Sequence, residues 1–119
     1  MGNFKQLGVN KNFIKALSEI NIKEPSPIQE ASIPVLLDGP TDFVGLAPTG
    51  TGKTVAYGIP LLQQIDPYTQ QIQAVILSPT RELVLQIKKQ LFKFTKYNEP
   101  KIFVEAVYGG EKIDIQIKN

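Results

Sequence analysis

The sequence predicts an α/β fold in which a parallel sheet carries helices on both faces. Three short apolar runs, residues 42–46, 74–77 and 102–107, have the composition of strands that are buried on both faces of a sheet. Stretches in which apolar residues recur at helical spacing separate these runs. A glycine-rich segment at residues 47–54 joins the first run to a helix. Strands and helices that alternate in this way favour parallel strands joined by crossover helices.

Two helices are predicted before the first strand. Apolar residues recur at helical spacing between residues 10 and 22, and a Lys-Glu-Pro sequence ends that helix. The second helix opens at Ser26, which suits the N-cap, with Pro27 at the first helical position and Gln29 at the third, as in a capping box. Pro34 lies inside the second helix, and we expect it to kink or shorten that helix.

Three further helices are predicted in the rest of the chain. One begins near Lys53 and extends to about residue 65. Residues 78–80 end the second strand and start a longer helix, whose apolar residues share one face: Leu83, Val84, Ile87, Leu91 and Phe94. Residues 112–118 are predicted to begin a short final helix.

The glycine-rich segment has the residue types of a phosphate-binding loop. Gly50 and Gly52 let backbone amides turn inward around phosphates, Lys53 can reach the terminal phosphates, and the Thr54 hydroxyl can hold a magnesium ion. The positive end of the following helix adds to the attraction. The first glycine of the general pattern is replaced by Ala47, a small residue that suits the entrance of the loop. The segment therefore predicts a nucleotide ligand with Mg²⁺.

The composition excludes several other functions. With 119 residues, 42% of them hydrophobic, the chain fits one small globular domain. It has no cysteine or histidine, which removes disulfides, the usual zinc sites and nucleophiles activated by histidine. No apolar run reaches membrane-spanning length and no signal peptide is evident, so a cytoplasmic location is predicted. Residues 81–119 hold eight basic residues against five acids, which favours that part for contact with a polyanion.

Three side chains outside the loop have competing interpretations. Gln29 suits a helix cap on spacing alone, but its amide could also offer a donor and an acceptor to an adenine edge. Phe4 could belong to the core or form a stacking platform. Arg81 follows the second strand at the strand's carboxyl end, where open α/β sheets bind their ligands, but it could also be a solvated residue that pairs with Glu82.

Together these segments resemble the N-terminal part of a DEAD-box RNA helicase. Residues 25–29 look like the family's adenine-reading Q motif, and Phe4 lies upstream where the family carries an isolated aromatic. Residues 47–54 are similar to motif I, residues 79–83 look like motif Ia, and the pair at residues 109–110 occupies the place of the GG motif.

The resemblance implies a set of ligand contacts. Gln29 would select ATP by its adenine, and Lys53 would bind the β and γ phosphates. Thr54 would coordinate Mg²⁺. The residues implied to contact ATP are Phe4, Ile22, Gln29, Ala47, Pro48, Thr49, Gly50, Thr51, Gly52, Lys53 and Thr54. Those implied to contact the RNA backbone, without regard to its sequence, are Pro79, Thr80, Arg81, Gly109 and Gly110. Asn21-Ile22 stands where the family has Gly-Phe, so Ile22 would pack on the base without aromatic stacking.

The resemblance also implies parts that this sequence lacks. The family hydrolyses ATP with an Asp-Glu-Ala-Asp segment, and no Asp-Glu pair occurs here. The second helicase domain, which supplies an arginine finger, is missing too. Residues 1–119 are therefore interpreted as the N-terminal portion of the ATP-binding domain, with the Q-motif region at about residues 2–30, in a chain that would not hydrolyse ATP alone. The alternatives are another P-loop protein, such as a DNA helicase or a small-molecule kinase, or a binding module that never hydrolyses ATP.

Overall fold

The fold was obtained as a computed structural model that describes residues 3–39, 41–46, 52–69, 71–98 and 101–107. Within these ranges it contains four helices, named here α1 (Lys11–Glu19), α2 (Pro27–Leu37), α3 (Lys53–Gln63) and α4 (Arg81–Phe94). The final helix predicted at residues 112–118 lies outside the described residues. No helix in the described part of the chain is long and apolar enough to cross a membrane.

Helix α1 is shorter than the predicted helix because a left-handed residue ends it. Asn21 has a φ of 64°, which asparagine tolerates better than most residues. Its N–H donates to the Ser18 carbonyl at 3.1 Å, and the Ile22 N–H donates to the Leu17 carbonyl at 2.9 Å. These two bonds form a Schellman motif. The motif directs Ile22 back towards the core, against which it packs.

Prolines lie inside both α2 and α3, and neither helix ends at its proline. Helix α2 extends three residues beyond Pro34 to Leu37, so Pro34 does not shorten it. The kink, the other expectation at Pro34, stays a prediction. In α3, Pro60 has no N–H to give to the Ala56 carbonyl four residues earlier. The buried Ser32 hydroxyl of α2 donates to that carbonyl at 2.9 Å instead. A hydrogen bond between the two helices thus replaces one that the proline removes.

Helix α4 begins where the sequence predicts. Thr80 is extended at the N-cap, and its hydroxyl oxygen accepts a hydrogen bond from the Leu83 N–H at 3.1 Å. The predicted apolar face is confirmed for Ile87, Leu91 and Phe94, which are buried. Leu83 at the start of the helix is instead 38% exposed. Local capping and periodicity therefore account for this helix.

A single cluster of apolar side chains joins the four helices and the N-terminal turn. Its buried members are Phe4, Val9, Phe13, Leu17, Ile33, Val55, Ile59, Leu62, Ile87, Leu91 and Phe94. Helices α3 and α4 approach closely at Gly58, where an added Cβ would lie 3.0 Å from the Leu91 Cδ2 atom. At the far ends of α1 and α4, the Lys96 ammonium lies 2.7 Å from the Glu19 carboxylate.

The three apolar runs that were expected to be strands are not strands in the described residues. Their described residues, in 41–46, 71–80 and 101–107, form no strand, so the predicted pairing of strands is not observed there. Burial nevertheless alternates along the second and third runs, as it does in a strand that lies on a helical layer. The outward side chains remain uncovered, with Leu77 91% and Phe103 88% exposed. A parallel sheet needs cover on both faces, whereas the second and third runs are partly covered on one face and residues 41–46 are exposed throughout.

Candidate functional site

The side chain of Gln29 connects the start of α2 to the start of α3. Its Oε1 accepts a hydrogen bond from the Ser26 N–H at 3.0 Å, which is the glutamine half of the predicted capping box. Its Nε2 donates to the Gly52 carbonyl, also at 3.0 Å. Gln29 is only 3% exposed. One buried amide therefore ties the Q-motif-like segment to the last residue before the lysine of the glycine-rich loop.

Gly52 occupies a position that no larger residue fits. It is the N-cap of α3 with a φ of 85° and a ψ of 29°, a left-handed conformation that glycine adopts without cost. A Cβ added there would collide with Gln29 Nε2 and would lie 3.5 Å from the Ser26 Oγ atom. The glycine that the sequence predicts for phosphate binding is thus also required by its contact with Gln29.

A polar atom beside this contact is left without a partner. The Ser26 hydroxyl oxygen is buried and faces the Gln29 backbone N–H in the capping box, and its proton has no acceptor in the described part of the chain. Buried hydroxyls are normally paired, because an unpaired one loses its hydrogen bonds to water. An orphaned hydroxyl next to Gln29 and Gly52 provides a polar group that a ligand could satisfy.

The first turn of α3 carries the other side chains predicted to meet a phosphate and its metal. Lys53 is exposed and Thr54 is half-buried. Both follow directly on Gly52, at the N-terminus of an 11-residue helix, where backbone N–H groups and the helix dipole attract anions. One turn later, burial raises the pKa of the Tyr57 phenol, and a hydrogen bond with the Thr54 side chain offsets part of that rise.

The two apolar residues predicted to meet a base, Phe4 and Ile22, precede the Q-motif-like segment in the sequence. Phe4 is 2% exposed and belongs to the core cluster. It is held in a turn in which the Val9 N–H donates to the Phe4 carbonyl at 3.0 Å. As placed, its ring has no free face for a base, so the structure favours the core interpretation. Ile22 is half-buried and has a partly accessible side chain.

The segment predicted to contact RNA lies at the N-terminus of α4. Pro79, Thr80 and Arg81 are all exposed there. The Thr80 hydroxyl uses an oxygen lone pair to cap the helix and keeps its proton for another acceptor. The predicted contacts at Ala47, Pro48, Thr49, Gly50, Thr51, Gly109 and Gly110 lie outside the described residues.

Sequence reasoning missed two contacts in this region. The bond from Gln29 to Gly52 joins residues that are 23 positions apart, and no local pattern signals it. The pair of Thr54 and Tyr57 could have been found, because residues three apart on a helix are neighbours.

Comparison with known proteins identifies relatives of the whole chain. The family model described as DEAD/DEAH box helicase matches residues 26–119. An ATP-dependent RNA helicase CshA from Limosilactobacillus reuteri is 42% identical over 116 residues, which are 98% of this chain and 23% of that protein. A protein of the same name from Listeria monocytogenes is 40% identical over 119 residues, which are 22% of its length. The chain thus spans less than a quarter of these relatives.

Solved structures share the fold. A DEAD box protein from the hyperthermophile Methanococcus jannaschii superposes with a TM-score of 0.89 at 33% identity, over 98% of this chain and 31% of its own. The RNA helicase Prp28 from Chaetomium thermophilum, bound to ADP, superposes with a TM-score of 0.83 at 34% identity, over 98% of this chain and 29% of its own. Dbp5 from S. cerevisiae, bound to RNA and ADP BeF3, superposes with a TM-score of 0.80 at 27% identity, over 95% of this chain and 30% of its own. The path of this chain therefore follows that of DEAD-box proteins.

Proposed function

The chain belongs to the DEAD/DEAH box helicase family, and on that basis we propose that it forms the ATP-binding portion of an RNA helicase. Two relatives of the same portion are named ATP-dependent RNA helicases, which supports this function over a DNA helicase or a small-molecule kinase. We propose further that the three apolar runs form the parallel sheet of a RecA-like domain, with helices on both faces. The rest of that domain and a second helicase domain would complete the enzyme.

The observation that carries the proposal is the paired amide of Gln29. A glutamine amide has two N–H donors and two carbonyl lone pairs. In this structure Ser26 and Gly52 use one of each. The remaining donor and acceptor match N7 and the amino group of adenine, whereas guanine presents two acceptors on the same edge. Gln29 would therefore prefer adenine while it stays bonded to Gly52, once the base reaches this amide, which is 3% exposed in the structure.

Other groups near the amide suit the rest of the nucleotide. The orphaned Ser26 hydroxyl provides a further polar contact, and Ile22 provides apolar surface for the base. Phosphates would lie at the N-terminus of α3, held by the loop amides and Lys53. Phe4 would support this site from the core rather than stack on the base, given its 2% exposure.

The residues present also fit a magnesium ion. Mg²⁺ usually takes one or two protein oxygens and completes its shell with phosphate oxygens and water. Thr54 offers such an oxygen beside the phosphate position. Among the described residues, no three acidic, histidine or cysteine side chains gather into a metal cage, which suits an ion that arrives with the nucleotide. When bound, the ion would neutralise phosphate charge.

We propose that RNA binds at the N-terminus of α4. Exposed groups at Pro79, Thr80 and Arg81, together with Gly109 and Gly110, would contact sugar and phosphate, so binding would not depend on base sequence. In the full-length product of the gene, Arg81→Gln should make the slope of log binding constant against log salt concentration shallower by about one. Lys89→Gln, a change at an exposed lysine on the same helix, is the matched control. Equal salt slopes in wild type and Arg81→Gln would remove Arg81 from the interface.

The nucleotide assignment is tested by calorimetry with ATP and GTP. Wild type should prefer ATP by about tenfold, since a bidentate base contact is worth roughly 1–3 kcal/mol. Gln29→Ala should remove the preference. Gln64→Ala is the matched control, because the Gln64 Nε2 also donates to a backbone carbonyl, that of Leu36, at 2.8 Å. Equal affinities for ATP and GTP in wild type would contradict the proposal.

A further inference from the structure

Two side chains of α2 donate hydrogen bonds to backbone carbonyls at the start of α3. Gln29 Nε2 donates to the Gly52 carbonyl at 3.0 Å, and the Ser32 hydroxyl donates to the Ala56 carbonyl at 2.9 Å. Ser32 lies three residues after Gln29, and Ala56 lies four residues after Gly52, so the second bond is about one turn further along both helices. The two helices therefore run in the same direction, with their N-termini side by side.

The bond from Ser32 fixes the two helices more strictly than the bond from Gln29. Ser32 is 2% exposed and Ala56 is 4% exposed, so water does not compete for this bond. The position of a serine Oγ atom depends on one side-chain torsion, whereas a glutamine amide is placed by three. The Gln29 amide can therefore follow a small slide of α3 along α2, but the Ser32 hydroxyl cannot do so and keep its bond.

We propose that Ser32 is a positioning residue, which sets the register between the adenine-reading amide on α2 and the phosphate-binding end of α3. The inference rests on the proposed function, because it assumes that one nucleotide contacts both places. Ser32 is buried one turn beyond Gln29 and acts through it, without touching the nucleotide. Binding groups must be held within about 0.5 Å of their productive positions. Without the hydroxyl, a slide of that size would draw the Gln29 amide away from a base whose phosphates stay on α3.

Calorimetry with ATP and GTP, on the full-length product of the gene, tests this role of Ser32. Wild type should prefer ATP by about tenfold, and Ser32→Ala should lower that preference to about threefold or less, because a displaced amide keeps at most one of its two base contacts. Gln64→Ala is the matched control. The Gln64 Nε2 also joins the two helices, at the Leu36 carbonyl, but this bond is exposed and lies at their C-terminal ends. Its loss should leave the preference unchanged.

A double variant separates positioning from stability. Pro60→Ala restores a backbone N–H that can bond to the Ala56 carbonyl within α3. Ser32→Ala combined with Pro60→Ala should therefore unfold at a higher temperature than Ser32→Ala alone. The bond between the helices stays absent in the double variant, so its preference for ATP should remain as low as in Ser32→Ala. Recovery of the preference together with the stability would overturn the inference, because Ser32 would then contribute to stability alone.

The same titrations distinguish failure of this inference from failure of the proposed function. A wild-type preference for ATP in Ser32→Ala would overturn the inference and leave the proposed function intact. Equal affinities for ATP and GTP in wild type would overturn the proposed function, and this inference with it.

Discussion

The substitution Gly52→Ala tests the contact at the centre of the site. Gly52 is left-handed, with a φ of 85°, and its α-carbon faces the amide of Gln29. An alanine methyl group would collide with Gln29 Nε2 and lie 3.3 Å from Gln29 Cδ. Either the Gln29 side chain leaves its place, which breaks its bond to the Gly52 carbonyl, or the start of α3 shifts.

The cost of Gly52→Ala has two parts. A left-handed backbone costs a residue with a side chain about 1–2 kcal/mol. Loss of the hydrogen bond from Gln29 to Gly52 adds about 1 kcal/mol. We therefore expect the free energy of unfolding to fall by roughly 2–3 kcal/mol, a large share of the 5–15 kcal/mol typical of a whole protein.

Urea denaturation with and without Gln29 separates the two parts. In a Gln29→Ala background the collision is gone, so Gly52→Ala should cost only the backbone component of about 1–2 kcal/mol. Gly39→Ala serves as the reference for the backbone cost alone. Gly39 also has a positive φ, 146°, and an added Cβ would meet nothing within 4 Å. If Gly52→Ala costs the same with alanine as with glutamine at position 29, the contact does not constrain Gly52.

Two further predictions concern the helices that hold the site. Ser32→Ala should lower the free energy of unfolding by about 1–3 kcal/mol, because it strands the buried Ala56 carbonyl. Pro60→Ala should recover part of that loss by restoring a backbone N–H, and no recovery in urea denaturation would refute this explanation. Glu19→Gln should cost less than about 1 kcal/mol despite the 2.7 Å contact with Lys96, because exposed ion pairs are weak. A larger loss, insensitive to salt, would contradict that estimate.

The sequence predicted those features whose cause is local. The N-cap at Thr80 and the apolar face of α4 are confirmed, because a cap and a 3.6-residue period act within one helix. The capping interaction between Gln29 and Ser26 is confirmed for the same reason. The predicted end of α1, at residue 22, lies beyond the observed end at Glu19, because a left-handed asparagine is a weaker stop signal than glycine.

Features that depend on distant residues were not predictable in the same way. The second bond of Gln29 depends on how α2 packs against α3, which no spacing rule gives. The sequence is equally consistent with Phe4 as a core residue and as a stacking platform. Its 2% exposure in the structure favours the core interpretation. The three apolar runs have strand composition, but strand pairing is a long-range property, and their described residues do not show it.

The central claim is that one amide, that of Gln29, connects a base site to the phosphate-binding end of α3. Nuclear magnetic resonance of the Gln29 side-chain NH₂ group tests it most directly, with its signals assigned by their loss in Gln29→Ala. Saturating adenosine, which has no phosphates, should shift both this signal and the backbone N–H signal of Lys53, because the two groups meet through Gly52. Shifts at Lys53 with ATP while the Gln29 amide signals stay unchanged would contradict the claim.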